Sequence, residues 1–427
     1  MLKTDFQPKN LFSKGVCMLQ SLRMFRLSAL CALFLTSAHV TAADTGREPA
    51  RGTLIESTFL GSYTKEQLNA NFQRLGLEAR NGVRLFRVNY QSQISPDEPR
   101  PTAASGLVII PDVAAEGASQ PNELPWISLQ HGTVASKKEA PSLNPGEGLY
   151  EASQGFVTAV MDYIGYGSSA AEFHPYLIEG AYVPVGVDLL RATRTLISAQ
   201  GLKLGQLFLK GYSEGGYATM ALQKALETDY AAEFSITASA PAAGPYDLEV
   251  SALTALSRPK SNPLISSFLV LAYDQWLAPE LDLDAIFALD TTELTRLFTS
   301  GISSSEIMKA LPMETRGLIE GPFLDDFLST TPVSAQAQLI RRLLVEQSLN
   351  QGDWVPRTPT RLYHCAEDEI VAVAATENAL AHFKNLNAEA PVTAVIAQSP
   401  DATRPYSHGS CPLVFASVGW FKELLSR

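Results

Sequence analysis

Ser213 sits in Gly211-Tyr212-Ser213-Glu214-Gly215-Gly216, a G-x-S-x-G arrangement flanked by small residues. A serine hydroxyl is a poor nucleophile near neutral pH. It needs an imidazole to take its proton, and the imidazole needs a carboxylate to hold its tautomer. The chain offers both downstream, in Glu367-Asp368-Glu369 and in Tyr406-Ser407-His408-Gly409-Ser410-Cys411. Two histidines lie beyond Asp368: His382 falls in the amphipathic stretch ENALAHFKNL and reads as a helix-surface residue, whereas His408 sits in a loop. His408 is therefore taken as the base. Sequence leaves the orientation of the three adjacent carboxylates open. The spacing H-x-x-x-D-x-x-V favours Asp368 as the acid, with Glu367 and Glu369 as solvated neighbours or capping groups. Asp162 is an alternative acid, but it precedes the serine, and on an elbow of this kind the order is serine, acid, histidine.

The elements around these residues must position them. Residues 206–210 are an apolar run of strand type, and from Gly216 apolar residues recur at helical spacing, so Ser213 occupies a sharp strand-to-helix turn. Backbone N–H groups at the new helix's N-terminus can hold an oxyanion there. Glu214 supplies one. Strand 124–130 runs into His131-Gly132-Thr133, where glycine lets the backbone turn toward the site, which makes Thr133 the second candidate oxyanion donor. Asp162-Tyr163-Ile164-Gly165-Tyr166-Gly167 follows strand 156–161 and reads as a structural turn.

Strands 83–91 and 105–110, split by SPDEPRP, form an antiparallel start, and strands and helices then alternate from 124 to 244. Such alternation predicts an α/β fold with a mostly parallel central sheet covered by helices on both faces. Between 246 and 355 the alternation stops. Helical patterns at 264–276, 283–287, 292–298, 303–311 and 335–350 predict an inserted helical cap or lid. The α/β pattern resumes with strand 360–364, helix 374–387, strand 391–397 and a final helix, 413–425. The catalytic domain is accordingly expected over 44–245 and 356–427.

The 427 residues carry a formal charge of −11. Residues 1–43 are net basic, so the remainder is more acidic still, which argues against nucleic acid and anionic membrane as partners. Arg23 and Arg26 precede the apolar run 27–35, and Thr41-Ala42-Ala43 follows, the order of a secretory signal peptide over 1–43 with Met18 or Met24 as possible starts. The apolar run is short for a membrane anchor, and Cys31 lacks the preceding small residue of a lipidation site. Cys365 and Cys411 then remain in an exported chain, three residues before the acid and three after the base. They predict one disulfide stapling the two loops, the alternative being two separate thiols.

SGLVIIP, LQHGT, MDYIGYG, KGYSEGGY, YHCAEDEIV and SHGSCP, spread over about residues 105–412, resemble the α/β-hydrolase superfamily and, more narrowly, the secretory lipase (lipase-A-like) family and its bacterial esterase relatives. The resemblance implies a serine carboxylic-ester hydrolase with a helical cap, working through an acyl-enzyme without metal or organic cofactor. Ser213, Asp368 and His408 fall on its triad positions. The expected partner is a small-molecule or lipid ester, and the expected compartment is the periplasm or the extracellular space. A secreted serine peptidase or amidase shares this fold and triad, and a non-catalytic binding protein on the same scaffold is the remaining alternative.

Overall fold

The computed structural model describes residues 50–94, 99–113 and 123–426, and the expected signal peptide lies outside them. Among the described residues, nine strands form one sheet: β1 (Leu54–Tyr63), β2 (Gly82–Gln93), β3 (Pro101–Asp112), β4 (Leu124–Gln130), β5 (Val157–Met161), β6 (Leu204–Tyr212), β7 (Ile236–Ala242), β8 (Thr360–Cys365) and β9 (Val392–Ala397). Their spatial order is β1-β2-β3-β5-β4-β6-β7-β8-β9. The first four strands in this order pair antiparallel, and every pair from β5 to β9 is parallel.

Hydrophobic patterning accounts for this layout. The interior strand β5 (VTAVM) is buried at all five positions, as a strand covered on both faces must be. Along β3, Leu107 and Ile109 enter one apolar cluster while Val108 and Ile110 enter another, so successive side chains feed cores on opposite faces. Helix Glu179–Ala199 packs on one face, and helix Ser417–Leu425 contributes Val418, Trp420 and Phe421 to the other. Residues 185–200 have the apolar spacing of an amphipathic helix, and helix Glu179–Ala199 begins six residues before that pattern. It continues through Pro184, which lies in its second turn and withholds one N–H from the helical ladder.

Between β7 and β8 the chain forms helices only, among them Leu248–Leu256, Pro263–Trp276, Thr291–Thr299, Gly321–Phe327 and Ala335–Glu346. Side chains of Asp247, Asn262, Asp282, Asp290, Ser303 and Ser334 each accept a backbone N–H of the helix they precede. Each cap satisfies a donor the first turn leaves free, which is why short helices hold here. Helix Leu248–Leu256 was not foreseen. Its run LEVSALTAL is apolar on several sides, and in the fold most of its residues are half-buried. No described helix is long and apolar enough to cross a membrane.

Candidate active site

The turn at Ser213 is strained, and its neighbours explain how the strain is held. Ser213 has φ 61° and ψ −124°, a conformation that L residues rarely adopt. Its N–H donates to the Ala242 carbonyl of β7 at 2.9 Å. Two glycines permit the close packing. A Cβ on Gly215 would lie 2.0 Å from the Gln130 carbonyl oxygen, and one on Gly211 would lie 2.1 Å from that of Gly215. The elbow is thus pressed between β4, β7 and its own helix, with no room for side chains at those positions.

His408, on the loop after β9, reaches this turn. Its Nε2 lies 2.8 Å from Ser213 Oγ and its Nδ1 lies 2.7 Å from Asp368 Oδ2. Asp368, on the loop after β8, also accepts the N–H groups of Ile370 and Val371 through Oδ1, each at 2.9 Å. Burial alone would raise this carboxyl, but the His408 hydrogen bond and the His364 N–H alongside it outweigh burial and hold it below the usual carboxylate range. The group is ionised at any working pH. A carboxylate, an imidazole and a strained serine therefore stand in one hydrogen-bonded line.

The neighbouring acids cap backbone N–H groups, Glu369 from an exposed position and Glu367 from a half-buried one. Glu369 Oε2 accepts the backbone N–H of His408 at 2.9 Å, and Glu367 Oε1 accepts that of Ser399 at 3.0 Å. All three consecutive carboxylates thus grip the strand-to-histidine loop, Asp368 by the ring and the other two by the backbone. Tyr212 adds a fourth hold, donating its hydroxyl to the His408 carbonyl at 2.7 Å. Burial and the Asp368 charge push the Tyr212 phenol up, so it remains a donor. A disulfide joins Cys365 to Cys411, Cα to Cα 6.0 Å, across a sequence separation of 46 residues. Closing a loop of that length contributes about 2–4 kcal/mol, chiefly by restricting the unfolded chain.

The other candidates take different places. Gly132 lies against the elbow, since a Cβ there would be 3.9 Å from that of Ser213. Thr133 follows it, its hydroxyl 2.8 Å from that of Tyr176. Glu214 begins the elbow helix, and its side chain is engaged behind the site: Oε1 is 2.8 Å from His174 Nε2 and accepts the Tyr182 hydroxyl at 3.1 Å. His382 is on helix Val373–Leu386, its ring against Phe383. Asp162 accepts from Ser105 Oγ at 2.5 Å and from the Ser142 N–H at 2.9 Å, and so ties its own loop to β3 and to the loop at Ser142. Burial raises its carboxyl, and bonds from Ser105 and Ser142 oppose the shift.

A cavity opens beside Ser213 and Glu214, an empty space of about 830 Å³ that includes open solvent at its mouth. Helices of the segment between β7 and β8 supply most of its wall, with Leu248, Ala252, Leu269, Phe323, Ile340 and Leu344 among the lining side chains. Polar groups on this wall are few: Tyr176, Ser213 and Glu214, with Ser251 and Ser266 from the helices.

Sequence reasoning missed Tyr212, Glu369 and His364 as partners of the line, and His174 as the partner of Glu214. One signal was available for His364: it is four residues before Asp368, at the penultimate position of β8, close enough to reach back to the loop.

The family model for Secretory lipase matches residues 149–389, more than half the chain, a span that includes Ser213 and Asp368 and ends before His408. Among solved structures, the rice cell wall degrading esterase LipA from Xanthomonas oryzae is similar at 27% identity and a TM-score of 0.75, over 88% of this chain and 99% of that one. Its ligand-bound form gives 26% and 0.73, with 88% and 98% covered. Candida antarctica lipase A in its closed state shares the fold at 17% identity and a TM-score of 0.59, over 88% of this chain and 82% of that one. No curated protein sequence matches. The sheet, its flanking helices and these likenesses identify an α/β-hydrolase fold, and the chain belongs to the secretory lipase family of carboxylic-ester hydrolases.

Proposed function

We propose that this ester hydrolase works through a Ser213–His408–Asp368 triad and an acyl-enzyme, and acts on esters with an apolar acyl chain. The observation that carries the reading is His408 placed 2.8 Å from Ser213 Oγ and 2.7 Å from Asp368 Oδ2. Because Asp368 accepts at Nδ1, the Nδ1–H tautomer is fixed and the Nε2 lone pair faces the serine. His408 takes the Ser213 proton as Oγ attacks the ester carbonyl, then returns it to the leaving alcohol, and a water repeats the cycle to release the acid. Asp368 stays ionised throughout and stabilises the imidazolium. Backbone N–H groups of Glu214 and Thr133 receive the oxyanion, the first at the N-terminus of a fourteen-residue helix whose dipole favours negative charge.

The apolar wall beside Ser213 supports the acyl assignment, since burying each methylene contributes about 0.8 kcal/mol. In this reading residues 246–355 are a cap over a catalytic domain of 44–245 and 356–427, and the cap carries the acyl site. The family and the disulfide point to export. A signal in residues 1–43 delivering the enzyme to the periplasm or beyond is part of the proposal, and the N-terminal sequence of the secreted protein tests it.

The deciding measurement is initial rates on p-nitrophenyl esters of increasing acyl length, for the enzyme and for Ser213→Ala. The variant is expected to lose about four to six orders of magnitude in kcat/KM at every length. Ser213→Ala retaining its rate would end the triad reading. A rate that does not rise with acyl length would end the apolar-chain reading. Plant cell-wall material belongs in the panel, because the Xanthomonas oryzae relative is a rice cell wall degrading esterase.

A further inference from the structure

We propose that His364 is a positioning residue that sets the lower pH limit of activity by sharing the Asp368 Oδ2 atom with His408. The inference rests on the triad reading above and adds a member to it.

His364 is the penultimate residue of β8 and is fully buried. Its Nε2 is 3.1 Å from the Val371 carbonyl oxygen and 3.4 Å from Asp368 Oδ2. A carbonyl only accepts, so Nε2 carries the proton. That N–H points chiefly at Val371 and lies alongside the carboxylate. On the other side, Nδ1 is 2.6 Å from Thr376 Oγ, on helix Val373–Leu386. With the proton on Nε2, Nδ1 accepts the threonine hydroxyl. Both nitrogens are thereby satisfied with the ring neutral, and neither faces a group that could exchange a proton with substrate. Thr376, His364, Asp368, His408 and Ser213 form one buried chain of contacts running from a helix through the carboxylate to the nucleophile.

The consequence follows from what Oδ2 must do. It accepts the His408 Nδ1–H at 2.7 Å and lies within the field of the His364 N–H, while Oδ1 is occupied by Ile370 and Val371. Each donor draws negative charge toward itself, so less remains to stabilise an imidazolium at His408. Without the His364 donor, protonated His408 is favoured up to a higher pH, and activity, which needs the neutral ring, sets in later. The surrounding charges do not replace it. Tyr212 from β6 approaches His408 Nδ1 at 3.4 Å as a neutral phenol, and Tyr246 lies beyond it. Glu369 is spent on the His408 N–H and Glu367 on Ser399. Arg258, from the helical segment, is half-buried and donates to the Glu369 carbonyl.

The test is kcat/KM against pH for the enzyme, His364→Leu and His364→Gln. In His364→Leu the acid limb is expected to move up by about half a unit to one unit, while His364→Gln, whose amide can donate from nearly the same place, stays within a few tenths of the wild-type limb. A lower rate in His364→Leu with an unmoved limb would mean that His364 only braces the loop through Val371, and would overturn the proposal. If His364→Leu does not fold, ¹⁵N-histidine NMR of the unmodified enzyme decides. His364 must show a protonated Nε2 and a bare Nδ1 at every pH where the enzyme is folded, and a protonated Nδ1 would overturn the proposal. Ser213→Ala separates this from the parent reading: if that variant keeps its activity, the triad itself has failed, whatever the His364 limb does.

Discussion

Two histidine–carboxylate pairs flank the strained serine, and they differ in what the far side of each ring can see. His408 Nδ1 meets Asp368 at 2.7 Å, and His174 Nε2 meets Glu214 at 2.8 Å. The His408 side chain is 11% exposed and its far nitrogen faces the Ser213 hydroxyl. The His174 side chain is 2% exposed and its far nitrogen lies 2.7 Å from the Ile164 carbonyl oxygen. A hydroxyl has a proton to give and a carbonyl has none. In the proposed triad the first ring cycles a proton between Ser213 and the leaving group, whereas the second is locked with Nδ1–H donating. A single further proton then lies between its Nε2 and Glu214 Oε1, and it has nowhere to go. The same chemical pair is thus a relay in one setting and a clamp in the other, and the clamp holds the residue next to the nucleophile.

The largest test of this contrast sets activity against stability. His408→Ala should lower kcat/KM by about four orders of magnitude or more while the unfolding midpoint in urea falls less than in His174→Ala, because Asp368 keeps the Ile370 and Val371 N–H groups. His174→Ala should do the reverse. It strands the Glu214 carboxylate in the interior, which costs about 3–5 kcal/mol, while activity per folded molecule falls less than a hundredfold. Equal losses of activity in the two variants would break the distinction.

A smaller effect separates the buried acids by sign. Asp368 is held below the usual carboxylate range in the folded state, so its contribution to stability is complete above about pH 4 and is lost as pH falls through its depressed value. Asp162 and Glu147 are shifted upward by burial, so their contributions run the other way: present at low pH and lost as pH rises. Urea unfolding between pH 2.5 and 6 should show a shallower acid loss in Asp368→Asn than in wild type. An unchanged slope would mean that the histidines do not hold Asp368 ionised. The smallest expected effect is that of Tyr212→Phe, which removes one hydroxyl from the His408 carbonyl. A loss of about threefold to tenfold in kcat, read from initial rates, would sharpen the picture of the relay ring as the one that needs its backbone held.

What was legible in the sequence divides along similar lines. Ser213 could be read because its conformation is imposed locally, by glycines and a strand-to-helix junction that leave a pattern within six residues. Asp368 and His408 could be read by order, and the cysteines three residues to either side marked the same two loops. Glu369, Tyr212 and His174 could not. Their partners are remote in sequence, 39 residues away for Glu369 and 196 for Tyr212, and nothing local distinguishes a glutamate that grips a backbone from one in water. Element boundaries slipped for equally specific reasons. Residues 234–239 have the pattern of a strand and Ala240-Pro241-Ala242 that of a turn, yet β7 lies at Ile236–Ala242 and continues the parallel ladder to Tyr212 of β6. That extension puts the Ala242 carbonyl under the Ser213 N–H.

The long helical segment also fixes the order in which a working enzyme can come into being. β7 ends at Ala242, and its parallel partner β8 does not begin until Thr360, so the sheet must wait for the whole segment to be made before it can add its last two strands. Ser213 emerges in the first half of synthesis, while its hydrogen-bond partner and proposed base, His408, is 195 residues further along and belongs to a loop anchored only after β9 has docked. Pairings across such separations form late and slowly, since loop closure must be met before contacts reward it. A nascent or C-terminally truncated chain holds a finished elbow and no means of activating it. Chemical competence is the last property this fold acquires.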